Sequence, residues 1–498
     1  MALTLAELAE IAEIADEPAI TTPPSLTLGG VDPLGLRQIN FDLMDQVFPG
    51  INNVVRYIRP FTVVTWAWRR AARTADKLGQ TRIAVPTLMD FVARIEVTYV
   101  WSQLIRNPRC ELPGRDVLAP LVNGPGYYFG GDDWERRKKV RTNSTALSAP
   151  INYGPAIRAF GWLHPDSLRS GALVAMPIVE DAMEVIDEAM GDALGHPLFS
   201  SFDPVEVTSA EVGAWADVWA LDQPSEAERL AMAATLAGET APKCRRDGVA
   251  LVAAACEHLG GIPSSHQVLR RVMCGPPGDF TPPPALHQVV QAWRTAQNRQ
   301  AFRLALEALF YWICGRLDDG PAMTGVLVRD FLNATGGAAT AGQWLDDVLT
   351  SEMGPADWIE RLDLGLRAED DESELPIAIR GAIAACLAEA PASSGTESDD
   401  RLPLARAAKE AAGWRDGPSA DFLAHVFDSW VFGQHVYWSV WRGLADARAG
   451  GKTILRLKVA LEDDGWTMMS GASASWPQAT PDRLSRIIDL MTEADLLR

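Results

Sequence analysis

Between Asp32 and Trp68 the chain reads DPLGLRQINFDLMDQVFPGINNVVRYIRPFTVVTWAW, and no other stretch limits the fold as strongly. Leu36, Ile39, Leu43 and Val47 recur at helical spacing. Pro49-Gly50, followed by Asn52-Asn53, then forces a turn, because proline removes a backbone donor and glycine accepts left-handed backbone. Residues 54–73 are expected to form a second helix despite a β-branched cluster and Pro60, with Arg56 and Arg59 on one side of it. A buried charge without a partner is costly, so two arginines in an apolar run must find acceptors. Backbone carbonyls and an acid such as Asp42 or Asp45 are the expected partners. The functional alternative is an anion or partner site shared with Asn52 and Asn53 at the helix start.

The rest of the chain is read from the same two signals, apolar period and proline position. Residues 3–17 have helical periodicity, and Pro18 with the TTPPS stretch ends that helix in an extended linker. Pro86 suits a first helical turn ahead of a helix over 88–104. Residues 107–131 are turn-rich and end in the loop NGPGYYFGG. Over 151–190 the order is helix, two short strands, then a helix opened by Pro177, as in a winged helix. Segments 210–221, 226–236, 245–259 and 287–316 read as helices, with proline-rich breaks at 276–284 and almost no strand signal. Residues 391–402 read as a linker or exposed loop. Thr480-Pro481-Asp482 carries a helix-start signature, which makes 451–498 most of a second winged helix, lacking its wing.

The expected fold is therefore mainly α: a multi-domain helical protein with winged-helix-like modules at about 151–190 and 451–498. The expected domains are an N-terminal helix and linker (1–30), a helical domain (31–195), an all-helical middle (196–390), the linker (391–402) and a C-terminal domain (403–498). A chain of 498 residues is too long for one simple core.

Charge and cysteine usage narrow the function. Asp plus Glu is 65 against 45 Lys plus Arg, a formal net charge of −20, which repels nucleic acid at long range. DNA contact is expected only through a local basic patch. The six cysteines contain no CxxC pair, which argues against a disulfide framework or a thiolate zinc site. The acidic N-terminus lacks the features of a signal peptide, and no run reaches the ~18 apolar residues of a membrane span. A cytoplasmic protein without membrane contact is expected.

Candidate chemistry is thin. Gly450-Gly-Lys452-Thr453 suggests a phosphate loop, but Asp446 stands where the first glycine belongs and a helical segment precedes it. His425 and His435 are nearly three helical turns apart, about 15 Å, too far for one metal ion. Ser264-Ser265-His266 lacks a nucleophile elbow, and the paired acids at 132–133, 318–319 and 463–464 read as caps and turns. No catalytic residue, metal ligand or cofactor is assigned.

The interaction candidates are more definite. Arg136, Arg137, Lys138 and Lys139, with Arg141, form the strongest basic run. Seventeen Trp outnumber seven Tyr, and Trp66, Trp68, Trp430, Trp438 and Trp441 fall in two aromatic segments. Core packing explains such residues, and so does a protein interface. Asn53, Arg56, Tyr57 and Arg59 complete the set.

The DPLG start, the PGINNVVRY segment, NYGPAIRAFGWL and the terminal TPDRL together resemble a set of bacterial proteins with a DPLG start, a PGxxNxxxRxRY motif and a late TPDRL helix. The matching residues include Asp32, Gly35, Pro49, Gly50, Asn53, Arg56, Tyr57, Trp66 and Asp482. The resemblance covers both ends and the 152–163 segment but skips most of 200–400. It implies an accessory subunit from an anti-phage defence locus, beside an ATPase or nuclease, and carries no assigned activity. The expectation is thus a non-catalytic scaffold in a protein assembly. The alternatives are a kleisin-like bridge of an SMC-type ATPase, a metal-dependent nuclease and a winged-helix DNA-binding regulator.

Overall fold

Helix starts follow local chemistry. In the computed structural model, which describes residues 32–79, 83–274, 280–349, 353–368, 373–393, 399–448, 456–474 and 476–497, Pro60 and Pro86 occupy the first turns of helices Arg59–Lys77 and Val85–Arg106. Thr208 and Glu211 form a reciprocal capping box ahead of Ser209–Trp215, and Ser225 with Glu228 does the same ahead of Glu226–Ala237. The long helix expected at 287–316 is present as His287–Leu317. Helices dominate the described residues, so the mainly α, multi-helical expectation is met. The expected helix at 3–17, the linker after it, the Gly450–Thr453 segment and residues 394–398 of the expected linker lie outside the described residues.

Two expectations about helix limits are corrected. The second helix begins at Arg59, so Arg56 precedes it in irregular backbone and does not share a helical face with Arg59. A proline that lacks an N–H fits the first turn, and here it sets the boundary. The last helix, Leu484–Glu493, begins after Pro481 because Arg483 is left-handed, with φ +66°. Asp482 still serves this start, accepting from the Leu484 N–H at 3.3 Å.

Strands are short and paired in twos among the described residues. Tyr127 and its neighbours, expected as loop, form Gly126–Phe129, antiparallel to Val205–Thr208 in a region expected to be helical. A side chain at Gly126 would meet the Val207 carbonyl at 2.7 Å, so glycine lets the strands close. The hairpin Leu163–Pro165/Leu173–Ala175 lies between helices Tyr153–Ala159 and Glu180–Met190, in the expected order. A third hairpin pairs Val459–Glu462 with Gly465–Met468.

The chain divides into two units, each assembled from separated segments: 40–297 with 351–356 and 480–498, and 1–39 with 298–350 and 357–479. The division cuts across the sequential blocks at 195, 390 and 403, because distant segments supply one core. It also parts the expected C-terminal module, placing hairpin 459–468 in one unit and helix Leu484–Glu493 in the other.

The larger unit is centred on fully buried Trp66, Trp101, Trp162, Trp219 and Trp293. Phe61 stacks on Phe160 and meets Tyr153 edge-on, both at 5.3 Å between ring centres. In the smaller unit Phe302, Phe331, Trp344, Phe422, Phe427 and Trp430 form the equivalent aromatic centre. There a π-helix, Val426–Gly433, carries Phe432 flat against Trp466 of the third hairpin, 3.9 Å between centres. Phe432→Ala is expected to destabilise the protein by about 3–5 kcal/mol. Leu364→Ala, at an exposed site, should stay within about 0.5 kcal/mol. Urea unfolding of the two variants checks this pair.

Candidate interaction site

The resembling segments carry polar groups that irregular backbone cannot satisfy by itself, so the first question is where those groups go. In the larger unit, Arg245 answers much of it. Its guanidinium donates to the carbonyls of Pro49 (3.0 Å), Ala159 (3.1 Å) and Thr235 (3.1 Å), and it packs on the Phe160 ring. Burial pulls its pKa down to about 10. Gly50, at φ +80°, allows the approach, since a side chain there would strike the Ala159 Cβ at 2.7 Å.

The Asn52 carboxamide oxygen accepts from Val54 N and Val55 N (2.9 and 3.1 Å), and its amide donates to the Asn152 carbonyl at 2.6 Å. The Tyr153 hydroxyl accepts from the N–H groups of Arg56 and Tyr57 (3.2 and 3.3 Å). From the C-terminal helix, Arg486 donates to the Asn53 carbonyl at 2.9 Å, and the Glu493 carboxylate accepts from Ile58 N at 2.7 Å. Buried Asp482 is held by Arg270 through both oxygens (2.5 and 2.9 Å) and by Gln297 at 2.9 Å. The PGINN, NYGPA and TPDRL segments are therefore one hydrogen-bonded framework.

The DPLG segment has its own clamp in the other unit. Asp32 accepts from Leu36 N at 2.9 Å and pairs with Arg442 at 2.9 Å. His435 Nδ1 lies 3.0 Å from the Pro33 carbonyl, and Arg401 donates to the Gly35 carbonyl at 2.9 Å. Gly35, at φ +71°, lies so close to the Trp438 ring that a Cβ would overlap it.

The sequence candidates part company. Arg59 is buried and pairs with Glu228 at 2.9 Å, not with Asp42 or Asp45. Arg56 remains nearer the surface, paired with Glu111 and, at 3.3 Å, with Asp489, above the half-buried Tyr57 ring. Trp66 is wholly buried and donates to Asp187 at 2.7 Å; Trp68, Trp430 and Trp438 are also core residues, and Trp441 is half-buried beside Tyr437. Four of these tryptophans therefore fill cores, Trp68 with one edge toward a cleft.

The basic run is largely neutralised on its own helix, Gly131–Arg141. Arg136 and Arg137 share Asp133, and Lys138 bonds Asp90 and Glu135, both at 2.7 Å. Lys139 is exposed and Arg141 is buried. Sequence reasoning missed the charge cluster of Arg69, Arg73, Glu180 and Asp187, whose members lie on two helices far apart in the chain.

Open clefts among the described residues of the larger unit include two lined by candidate residues. One, about 460 Å³, is lined by Asn53, Arg56, Glu111, Arg115, Thr145 and Arg486. The other, about 700 Å³, has an apolar wall of Trp68, Met89 and Val92 and a charged edge that includes Arg136, Lys138 and Lys139. Among the described residues no group of three or more His, Cys, Asp or Glu side chains is placed to hold a metal ion. No described helix is long and apolar enough to cross a membrane. No family model matches the sequence, and neither a curated protein nor a solved structure matches the chain.

Burial, with Asp489 and Glu228 near it, pushes the Glu493 carboxyl up to about 7. A carboxyl with a raised folded pKa favours the fold while protonated, so its contribution is complete below the unfolded value near 4.5 and is lost as pH rises through about 7. Glu493→Gln keeps an acceptor for Ile58 N and never ionises. It should match the wild type in urea midpoint at pH 5 and exceed it at pH 8. An equal fall in both proteins between those pH values would contradict the assignment.

Proposed function

We propose that this protein is a non-catalytic accessory subunit of a bacterial multi-protein assembly, serving anti-phage defence. The observation that carries the reading is the use made of the resembling residues. Pro49, Gly50, Asn53, Asp32, Gly35 and Asp482 are engaged in backbone framework. A framework of this kind preserves a shape, and a preserved shape is what a binding subunit requires. The clefts of about 460 and 700 Å³ join apolar wall to charged edge, as interfaces do.

The DNA-binding alternative has less support. In a winged helix the element before the wing enters the groove. Here that element, Tyr153–Ala159, is a short helix with Tyr153, Ala156 and Ile157 buried. The paired state of Arg136, Arg137 and Lys138 removes most of the phosphate-binding charge as well. A kleisin-like bridge loses its C-terminal module, whose hairpin and helix fall in different units.

The test is capture of the tagged chain from its native cell, with the double variant Met89→Glu/Lys139→Glu in parallel. Both positions are exposed at the edge of the larger cleft. A stoichiometric ATPase or nuclease subunit is expected with the wild type. Its recovery with the variant should fall about tenfold or more, equivalent to about 1.4 kcal/mol. A lone chain that cleaves DNA when magnesium is added would overturn the proposal.

A further inference from the structure

The smaller unit changes its helical winding directly after His425. Helix Ser419–His425 passes into the π-helix Val426–Gly433 before α-winding resumes at Gln434. Such winding is rare and is found frequently at functional sites. Its i→i+5 pattern aligns residues five apart, whereas α-winding would set them about 140° apart around the axis. His425 and Trp430 thereby reach the same oxygen, Glu410 Oε2, at 3.0 Å from Nε2 and 2.8 Å from Nε1.

Arg406 donates to the other oxygen of Glu410 at 2.8 Å. Burial works to raise this carboxyl, but the hydrogen bonds from Trp430, His425 and Arg406 outweigh it and hold the group below the usual carboxylate range. An ionised carboxylate only accepts, so Nε2 is the nitrogen that donates to it, and in the neutral imidazole Nδ1 is then the acceptor. Nδ1 lies 3.4 Å from the hydroxyl of Ser429, which is exposed. The imidazole is flanked by the rings of Trp414 and Trp430, at 5.7 and 6.0 Å.

We propose that Ser429 is a nucleophile that accepts acyl groups from activated esters, with His425 as its base and Glu410 as the positioning residue. Ser429 Oγ bonds to the ester carbonyl carbon while its proton passes to His425 Nδ1. The carbon–oxygen bond to the alcohol breaks, and the alcohol leaves with that proton. Nucleophile, base and orienting carboxylate stand in the order such chemistry needs. Ser429 stands inside the π-helix Val426–Gly433, where backbone N–H groups bond along the helix and not toward an incoming oxyanion. Ser429 is accordingly an acceptor that is modified once, and rapid turnover is not expected.

A biotin-tagged fluorophosphonate is the probe, applied to the full chain, with the adduct located by peptide mass spectrometry. Oγ–phosphorus bond formation expels fluoride, and His425 again takes the proton. Ser429 should react about a hundredfold faster than the other exposed serines, the scale of general-base assistance. Urea-unfolded protein should lose that preference, and His425→Gln should slow it to the background rate. Glu410→Gln should slow it too, and the His425 nitrogen resonances should then lose the Nε2–H signature expected of the wild type. Labelling of Ser429 no faster than other serines, or at an unchanged rate in His425→Gln, would overturn the proposal.

Discussion

A guanidinium placed among backbone carbonyls is the interaction on which the larger unit depends. Its chain must turn at Pro49-Gly50, at the end of Tyr153–Ala159 and after Thr235, and at each turn a carbonyl is left without a helical partner. Arg245 reaches all three. An unsatisfied buried carbonyl costs about 1–3 kcal/mol, so one side chain that serves three has large leverage. Arg59, Arg94 and Arg486 repeat the device on other carbonyls of the unit, and Arg401 and Arg442 use it on the DPLG segment. Arginine suits the task because its fork of five donors is rigid and stays charged even when burial lowers its pKa.

This explains why residues that look functional in the sequence turn out to be framework. Glycines at left-handed turns, an aspartate ahead of a helix, and asparagine pairs are also the residues of a catalytic loop. Their partners separate the two cases. Asp482 faces Arg270 and Gln297, and Asn52 faces the backbone of its own turn, so their polar atoms are spent within the fold. The surface is left with clefts, exposed apolar side chains and a strongly acidic field, the features on which the proposed partner contacts would draw.

Much of the helical plan was legible, because apolar period and proline position are local. The long helix His287–Leu317 and the helix opened by Pro86 follow from them, whereas Pro60, read as internal to a helix from residue 54, in fact marks its start. What was hidden is long-range. Nothing near Arg59 points to Glu228, and nothing near Glu410 points to His425, because ion pairing leaves no periodic trace. The tryptophans misled for a related reason: an aromatic in a helical segment has the same spacing whether its face turns to a core or to a partner. The π-helix had no sequence signal. It coincides with the shared bond of His425 and Trp430 to one distant carboxylate.

The framework account is tested most directly by hydrogen exchange on Arg245→Met. A longer-range clamp predicts that protection falls together at residues 49–58, at 153–160 and near Thr235, while the aromatic centre of the smaller unit keeps its protection. Loss confined to the turn of helix around residue 245 would contradict it.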